Sequence, residues 1–432
     1  MKFYLILMAV LAICQMALAG RFNITCYYDT FSIQRGGFAN FTENDLRSSF
    51  EYCTHVVYGY VGISPDKFDI VTLHSKQNLQ FAHVKKLKNQ YRHIKFLVSL
   101  GGGKDLNHTE KYIKLLEAPQ QKQDKFIKSA KAFLRKYKFD GLDLAYQFPH
   151  NKAHKSTSEK ILNTAKALLS KTQVGQKLTG KKNSKKNHGG SFNIHKQQFT
   201  VLANKLHNIF RNKNLMLTLT VLPHVNTSKF INPAVMEYFD FVNLCTFDYS
   251  TPQLTHHDAD YLAPRNAPPR NGRKITSNIE KDVRQWLSKH KHMSKKLNIG
   301  IPTYGRAWRM TKQLKSTAMP IKSSLDGPAP GGELTRTAGL LSWPEMCFKL
   351  PKMSKIQNRQ FGNYAYRTAD VKGRDGLFIT YEDRDSLGAK AEFVQSNSLA
   401  GVAIFDLTLD DFRGKCKQGM FPALSAIKSK LI

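Results

Sequence analysis

Residues 139–149 read Phe139-Asp140-Gly141-Leu142-Asp143-Leu144-Ala145-Tyr146-Gln147-Phe148-Pro149. Apolar residues alternate here with aspartate and glycine, and Pro149 ends the run, which predicts a short buried strand. Two aspartates three residues apart are costly to bury unless they have partners or a chemical task. The stretch therefore predicts a strand whose carboxyl end opens into a candidate site.

Seven further apolar runs have the length and composition of buried strands, and stretches with helical spacing separate them. Eight such strands alternating with helices predict an α/β fold, a (β/α)8 barrel. Residues from about 307 to 378 break this alternation, because they are rich in glycine, proline and short strand-like pieces. The other predicted strands are residues 23–28, 54–60, 94–100, 215–221, 241–249, 297–306 and 401–407.

The central stretch resembles the fourth-strand motif of family 18 glycoside hydrolases, the chitinases, which reads Asp-x-x-Asp-x-Asp-x-Glu. Asp140 and Asp143 match its first two carboxylates. Ala145 stands in the place of the third aspartate, and Gln147 stands in the place of the catalytic glutamate. The resemblance implies a barrel over residues 20–306 and 379–432, with residues 307–378 as a small α+β insertion between strand 7 and helix 7.

The variant of the motif in this chain, followed by Asn151-Lys152, is narrower than the family motif. It resembles the imaginal disc growth factors, the secreted chitinase-like proteins of insects, and this similarity extends from residue 20 to the last residues. The resemblance implies an extracellular growth or signalling factor that cooperates with insulin-like peptides, or with a receptor, to stimulate cell proliferation.

Hydrolysis in the resembled family uses the substrate's own N-acetyl oxygen as nucleophile and a glutamic acid as proton donor. Gln147 keeps the shape of that glutamate but is neither an acid nor a base. Losing positioned acid–base help costs roughly 10²–10⁴ in rate, and Ala145 also removes the carboxylate that orients the N-acetyl group. We therefore expect no hydrolysis and no cofactor. The alternative to a functional role for Asp140 and Asp143 is a structural one, in which they are buried and hydrogen-bonded at the end of the strand.

Sugar clefts bind pyranose faces on exposed aromatic rings. Phe31, Gly103 and Phe405 occupy positions where the resembled family has tryptophan, and Phe247, before Asp248, replaces its tyrosine. A second hypothesis is nevertheless a lectin that binds chitin-type oligosaccharides without cleaving them. Its candidate contacts are Tyr27, Tyr60, Asp143, Tyr304, Arg306, Trp308 and Phe405.

Residues 1–19 have a lysine, an apolar run and a small-residue end, which predicts a secretory signal peptide and an extracellular protein. No later run of about 18 apolar residues follows, so no membrane span is expected. Four Asn-x-Ser/Thr sequons are candidate glycosylation sites. They begin at Asn23, Asn40, Asn107 and Asn226.

Five cysteines remain when Cys14 is removed with the signal peptide. An odd number in an oxidising compartment predicts two disulfides and one thiol, or an intermolecular bond. The family resemblance implies the pairs Cys26–Cys53 and Cys347–Cys416. Cys245 lies in an apolar strand and is then a buried thiol.

The formal net charge of +34 favours anionic partners such as sulfated glycans, acidic proteins or membrane surfaces. The signal peptide argues against an intracellular nucleic-acid partner, and solubility alone is the alternative reading of the charge. Residues 151–198 hold eleven lysines and one acid, which predicts a Lys-rich loop that contacts an anionic polymer.

Histidines cluster only at His256-His257-Asp258, whose neighbouring rings point apart, so no metal site is expected.

Overall fold

The computed structural model describes residues 22–105, 110–145, 188–223, 231–273, 276–314, 316–369 and 376–431, with side chains of the helix that starts at residue 188 described from residue 194. The predicted signal peptide, Gln147, Asn107 and Asn226 lie outside these residues.

Seventeen strands are present in the described residues. In chain order they are β1 (Asn23–Asp29), β2 (His55–Ile63), β3 (Ile70–Thr72), β4 (Lys95–Gly101), β5 (Gly141–Ala145), β6 (Met216–Val221), β7 (Phe241–Leu244), β8 (Asp258–Ala259), β9 (Leu297–Pro302), β10 (Tyr304–Met310), β11 (Ile321–Lys322), β12 (Leu325–Pro328), β13 (Leu340–Ser342), β14 (Ser354–Ile356), β15 (Asn363–Arg367), β16 (Gly376–Tyr381) and β17 (Gly401–Phe405).

The described α-helices alternate with many of these strands. They are α1 (Glu43–Ser48), α2 (Gln77–Ala82), α3 (Val84–Gln90), α4 (Glu110–Glu117), α5 (Gln120–Tyr137), α6 (His188–Arg211), α7 (Ile279–Leu287), α8 (Trp343–Lys349), α9 (Arg384–Ser396) and α10 (Pro422–Lys428). None of the helices in the described ranges is both long and apolar enough to cross a membrane.

The largest sheet has the strand order β1-β17-β9-β7-β6-β5-β4-β2-β3, and β1 also pairs with β2, which closes the ring of eight parallel strands. The short β3 is antiparallel to β2 and lies outside that ring. Strands such as β5 and β17 are buried at every position, as expected where both faces of a parallel sheet are covered. The prediction of a (β/α)8 barrel with an inserted α+β region is confirmed.

The chain packs as two compact units, one of which comprises Tyr60–His83 and Val98–Asp240. In this unit β5 pairs with β6 in parallel, with Asp143 opposite Thr218. Helix α5 buries an apolar stripe at helical spacing, including Phe126, Ile127 and Leu134.

The other unit comprises the chain up to Gly59, Val84–Leu97 and Phe241–Ile432. It contains the parallel pairs β1–β17 and β17–β9 and a second, antiparallel sheet in the order β12-β10-β16-β15-β14, with β13 beside β10. Both predicted disulfides are present, Cys26–Cys53 and Cys347–Cys416, and Cys245 is a buried thiol outside them.

The structure differs from the predicted boundaries in two places that matter for the site. The strand predicted over residues 241–249 ends at Leu244, so Asp248 lies after it. Residues 297–306 do not form one barrel strand, because β9 ends at Pro302 and β10 of the second sheet begins at Tyr304. Thr303 lies between them. Its backbone N–H donates to the carbonyl of Phe405, the last residue of β17, and its hydroxyl donates to the carbonyl of Asp406. The second sheet thus begins before the boundary predicted at residue 307 and ends with β16 at Tyr381.

The Lys-rich loop predicted over residues 151–198 is wrong in its last part. Residues 188–198 are the first turns of α6, which continues to Arg211. Apolar residues at helical spacing, among them Phe199, Leu202 and Leu206, are buried and hold that helix in place. Residues 151–187 lie outside the described ranges.

Candidate functional site

The predicted site residues form two groups, each within one unit of the chain. The first group surrounds Asp143 on β5, and the second surrounds Asp248, which follows β7. Each group keeps one carboxylate of the resembled motifs.

Asp143 is completely buried and accepts hydrogen bonds from three hydroxyl groups on the two neighbouring strands. Ser99 on β4 donates to Oδ2 at 2.6 Å. Thr218 on β6 donates to Oδ1 at 2.8 Å, and Thr220 donates to the same oxygen at 2.9 Å. Hydrogen bonds from neutral donors favour the charged form of a carboxylate, so this arrangement replaces the water that Asp143 lost on burial.

Sequence reasoning missed these three hydroxyl partners. Thr218 and Thr220 alternate with leucines in β6, and alternation places both on the same face of the strand. Thr218 also lies opposite Asp143 in the register of the two strands. A buried carboxylate beside a Leu-Thr-Leu-Thr strand was therefore the signal available in the sequence.

Ala145 is the last residue of β5 and is completely buried. Gly101 lies against its backbone, because a Cβ atom at Gly101 would be 2.5 Å from the carbonyl oxygen of Ala145. The φ angle of Gly101 is +99°, which a residue with a side chain rarely adopts. Gly101 thus allows β4 and β5 to approach each other closely at the position where Ala145 replaces the third carboxylate of the fourth-strand motif.

Asp140 does not belong to this carboxyl end. It precedes β5, is half-buried, and its backbone carbonyl accepts a hydrogen bond from the N–H of Met216 at 2.8 Å. Tyr60, a predicted sugar contact, is also half-buried in this unit. A Cβ atom at Gly102 would lie 2.2 Å from its ring, so the ring packs directly on the glycine backbone.

Asp248 is held by charge rather than by hydroxyl groups alone. Arg306 on β10 makes two hydrogen bonds with it, from Nε to Oδ1 at 2.8 Å and from Nη2 to Oδ2 at 2.6 Å. The Tyr304 hydroxyl also donates to Oδ2, at 2.8 Å. Bidentate guanidinium–carboxylate pairs are both strong and strictly oriented.

Burial raises the pKa of the Tyr304 phenol well above its usual value, and the adjacent Asp248 raises it further. Burial alone would lower the pKa of Arg306, but the charge of Asp248 outweighs it and the net shift is upward. Both groups therefore stay protonated near neutral pH and can donate their hydrogen bonds to Asp248.

The aromatic candidates are mostly covered by protein. Tyr27 stacks on Phe405 with ring centroids 4.1 Å apart, and the ring of Phe247 also contacts Phe405, with centroids 5.1 Å apart. The exposed fractions are 1% for Tyr27 and 8% for Phe405. The Tyr27 hydroxyl accepts a hydrogen bond from Asn243, so its polar end is engaged as well.

Trp308 is not a cleft residue, and the prediction that it lines a sugar site is wrong. It is fully buried in a hydrophobic cluster of the second sheet with Met310 and Phe378. Its indole N–H donates to the backbone carbonyl of Thr255 at 2.9 Å. The strand that carries it belongs to the inserted sheet, so its side chain packs there.

Two further carboxylates lie after β17 in the same unit. Burial and the nearby charge of Asp29 raise the pKa of Asp406 to about 6. Burial raises the pKa of Asp410 to about 7, although its oxygens accept hydrogen bonds from the N–H groups of Asp411, Ala423 and Leu424.

Two of the predicted glycosylation sites are described. Asn23 is the first residue of β1, and the Asn40 side chain donates to the carbonyl of Ile33 at 2.8 Å. Within the described ranges, no three His, Cys, Asp or Glu side chains are grouped so that they could hold a metal ion. The Nδ1 atom of His257 is hydrogen-bonded to the carbonyl oxygen of Leu325, at 2.9 Å.

Comparison with known proteins places this barrel in a family. The model of the family described as Glycosyl hydrolases family 18 matches residues 23–410. The chain therefore belongs to glycosyl hydrolase family 18.

Within the family, the chain is similar to chitinase-like proteins of insects. It is 39% identical to Chitinase-like protein Idgf3 of Drosophila yakuba, over 95% of this chain and 94% of the relative. It is 37% identical to Imaginal disk growth factor 6 of Drosophila melanogaster, over 95% and 93%. These relatives confirm the resemblance to the imaginal disc growth factors.

A solved structure with the same fold is a mutant of Group II chitinase catalytic domain 2 of Ostrinia furnacalis, in complex with penta-N-acetylchitooctaose. The TM-score is 0.75 and the identity is 26%, and the match covers 95% of this chain and 96% of that chain.

Proposed function

We propose that this protein is a secreted, non-hydrolytic member of family 18 that acts as an extracellular growth or signalling factor. The observation that carries the non-hydrolytic part is Ala145 at the carboxyl end of β5, two residues before Gln147. A methyl group cannot orient an N-acetyl nucleophile, and an amide cannot donate the proton that the leaving oxygen needs.

The remaining carboxylates support this proposal because their oxygens already have protein donors. Asp143 accepts from three hydroxyls, and Asp248 accepts from Arg306 and Tyr304. Neither is available as a general acid without the loss of those contacts.

Hydrolysis is tested with a chitin oligosaccharide and the purified secreted protein, with an active family 18 chitinase assayed in parallel. We expect no cleavage products above the buffer blank. Cleavage that disappears in the Asp143→Asn variant would overturn the proposal, because the dependence on Asp143 excludes a contaminating enzyme.

The growth-factor part is supported by the printed name of the Drosophila melanogaster relative and by the similarity over nearly the full chain. The two disulfides support an oxidising, extracellular location. The test adds the purified protein to cultured insect cells with and without insulin and counts divisions. We expect an increase that requires insulin, and equal counts with heat-denatured protein would contradict the role.

A second candidate function is binding of chitin-type oligosaccharides. The half-buried ring of Tyr60 and the chitinase complex of Ostrinia furnacalis favour it. The stacking of Tyr27 on Phe405 argues against it, because that ring face of Phe405 is already covered by protein. Calorimetric titration with a long chitin oligosaccharide decides the question. Saturable heat that is lost in Tyr60→Ala supports a lectin, and the absence of heat removes this candidate.

A further inference from the structure

Helix α5, Gln120–Tyr137, carries six basic residues and one acid, Asp124. Its buried residues lie on one side, where Phe126, Ala130 and Leu134 follow helical spacing. The opposite side is a basic face. It consists of Lys125, Lys128, Lys131, Arg135 and Lys136, of which only Lys131 is half-buried and the others are exposed.

The cations of the basic face form no ion pair with any carboxylate in the described part of the chain. Lys136 lies over the Tyr137 ring, with its ammonium 4.8 Å from the ring centroid. Other exposed arginines are paired, for example Arg284 with Glu280 and Arg359 with Glu392. Asp124 lies four residues before Lys128, so the basic face has five cations beside one acid, and within the described ranges none of these cations is paired as those two arginines are.

The spacing within the basic face is unfavourable for an isolated helix. Lys125, Lys128, Lys131 and Arg135 follow one another at intervals of three or four residues, so like charges are neighbours on the helix surface and repel each other. The helix dipole favours cations in the last turn, which accounts for Arg135 and Lys136. It does not account for Lys125, Lys128 and Lys131, which lie closer to the N-terminus of the helix. A bound anion would relieve the repulsion among them.

We propose that the basic face of α5 binds a linear sulfated polysaccharide. From Lys125 to Lys136 the face extends about 16 Å along the helix axis, which suits a chain with charges on successive sugars. The apolar side of α5 is packed in the core, so the helix offers nothing to insert into a lipid layer, as a membrane-surface helix would.

The inference assigns an anionic partner to a described surface, whereas the sequence alone pointed to residues 151–198. It goes beyond the proposed function and is independent of it, because α5 carries no residue of the catalytic motif. Loss of polysaccharide binding and detection of hydrolysis are separate results and can be told apart.

The test uses a Lys125→Glu, Lys131→Glu double variant of the full-length secreted protein and immobilised heparin as the probe. Each new glutamate lies three or four residues from a remaining cation, Lys128 or Arg135, so repulsive neighbours become attractive ones and the helix is retained. The control is Lys289→Glu, Lys349→Glu, which changes two exposed lysines, one shortly after α7 and one at the end of α8, and gives the same net charge.

We expect the affinity of the α5 variant for heparin near physiological salt to fall by about tenfold or more, while that of the control changes by about twofold or less. Thermal unfolding of the α5 variant should begin no earlier than that of the unmodified protein. Equal losses in both double variants would overturn the proposal, because only net charge would then matter.

Two further outcomes would also overturn it. The first is that the α5 variant loses as much retention on a plain sulfonate resin, which lacks the sugar chain, as it loses on heparin. The second is α5-dependent binding to phosphatidylserine vesicles without binding to heparin, which would assign the face to a membrane.

Discussion

Asp143 and Asp248 are both retained from the sugar-hydrolase motifs, yet the protein stabilises them in opposite ways. Asp143 is surrounded by neutral hydroxyls from β4 and β6, whereas Asp248 is held by a guanidinium and a phenol from one strand of the second sheet. Neutral donors can turn to other acceptors, but a buried guanidinium cannot lose its charge. The comparison suggests that Asp248 is the more important of the two for the folded state.

Replacing Asp248 should have the largest effect. Asp248→Ala leaves Arg306 largely buried without its counter-charge, and removing one partner of a buried pair costs about 3–5 kcal/mol. Urea unfolding measures the loss. The Asp248→Ala, Arg306→Met double variant should recover much of the lost stability. A loss below about 1 kcal/mol in Asp248→Ala would contradict the greater importance of Asp248.

Asp410 is a third case, because in the described structure neither a cation nor a hydroxyl donates to it. Its pKa of about 7 lies above the ordinary aspartate value, so the folded state holds a proton that the unfolded state releases. Stability is then lost as the pH rises from about 4 through 7, by about 1.4 kcal/mol for each unit of the pKa difference.

The stability of the Asp410→Asn variant relative to that of the unmodified protein should therefore rise by about 4 kcal/mol between pH 4 and pH 8. Parallel unfolding curves at several pH values measure this difference. A difference that does not depend on pH would show that Asp410 is ionised in the folded protein throughout.

Replacing Asp143 should have a smaller effect than replacing Asp248. Asp143→Ala leaves Ser99, Thr218 and Thr220 without their acceptor, at about 2 kcal/mol, since hydroxyls can rotate to nearby carbonyls. Thr218→Val, which removes one donor and keeps the shape, should cost about 1 kcal/mol. If Asp143→Ala proved as costly as Asp248→Ala, the distinction between neutral and charged donors would not hold.

The barrel could be predicted from the sequence because each parallel strand is an apolar run, as in residues 401–405. The disulfide pairs followed from the family resemblance rather than from spacing. The partners of Asp143 could not be predicted, because Thr218 and Thr220 are ordinary strand residues until register places them opposite a carboxylate.

The location of Trp308 was predicted wrongly for a related reason. The break at Thr303 depends on hydrogen bonds to the backbone at the end of β17, about a hundred residues further along the chain. No local pattern in residues 297–310 encodes that contact, so the strand looked continuous. The residue types identified the carboxylates in the sequence, but only the pairing of strands in the folded protein showed which groups donate hydrogen bonds to them.

The Cys347–Cys416 disulfide joins residues 69 positions apart, on α8 and after β17. The enclosed stretch contains exposed basic residues such as Lys352 and Arg359, at which trypsin-like proteases cut. A single cut there would leave two fragments covalently joined, so the nicked protein would migrate as one band until a reducing agent separates it. Electrophoresis would therefore separate intact from clipped protein only under reducing conditions.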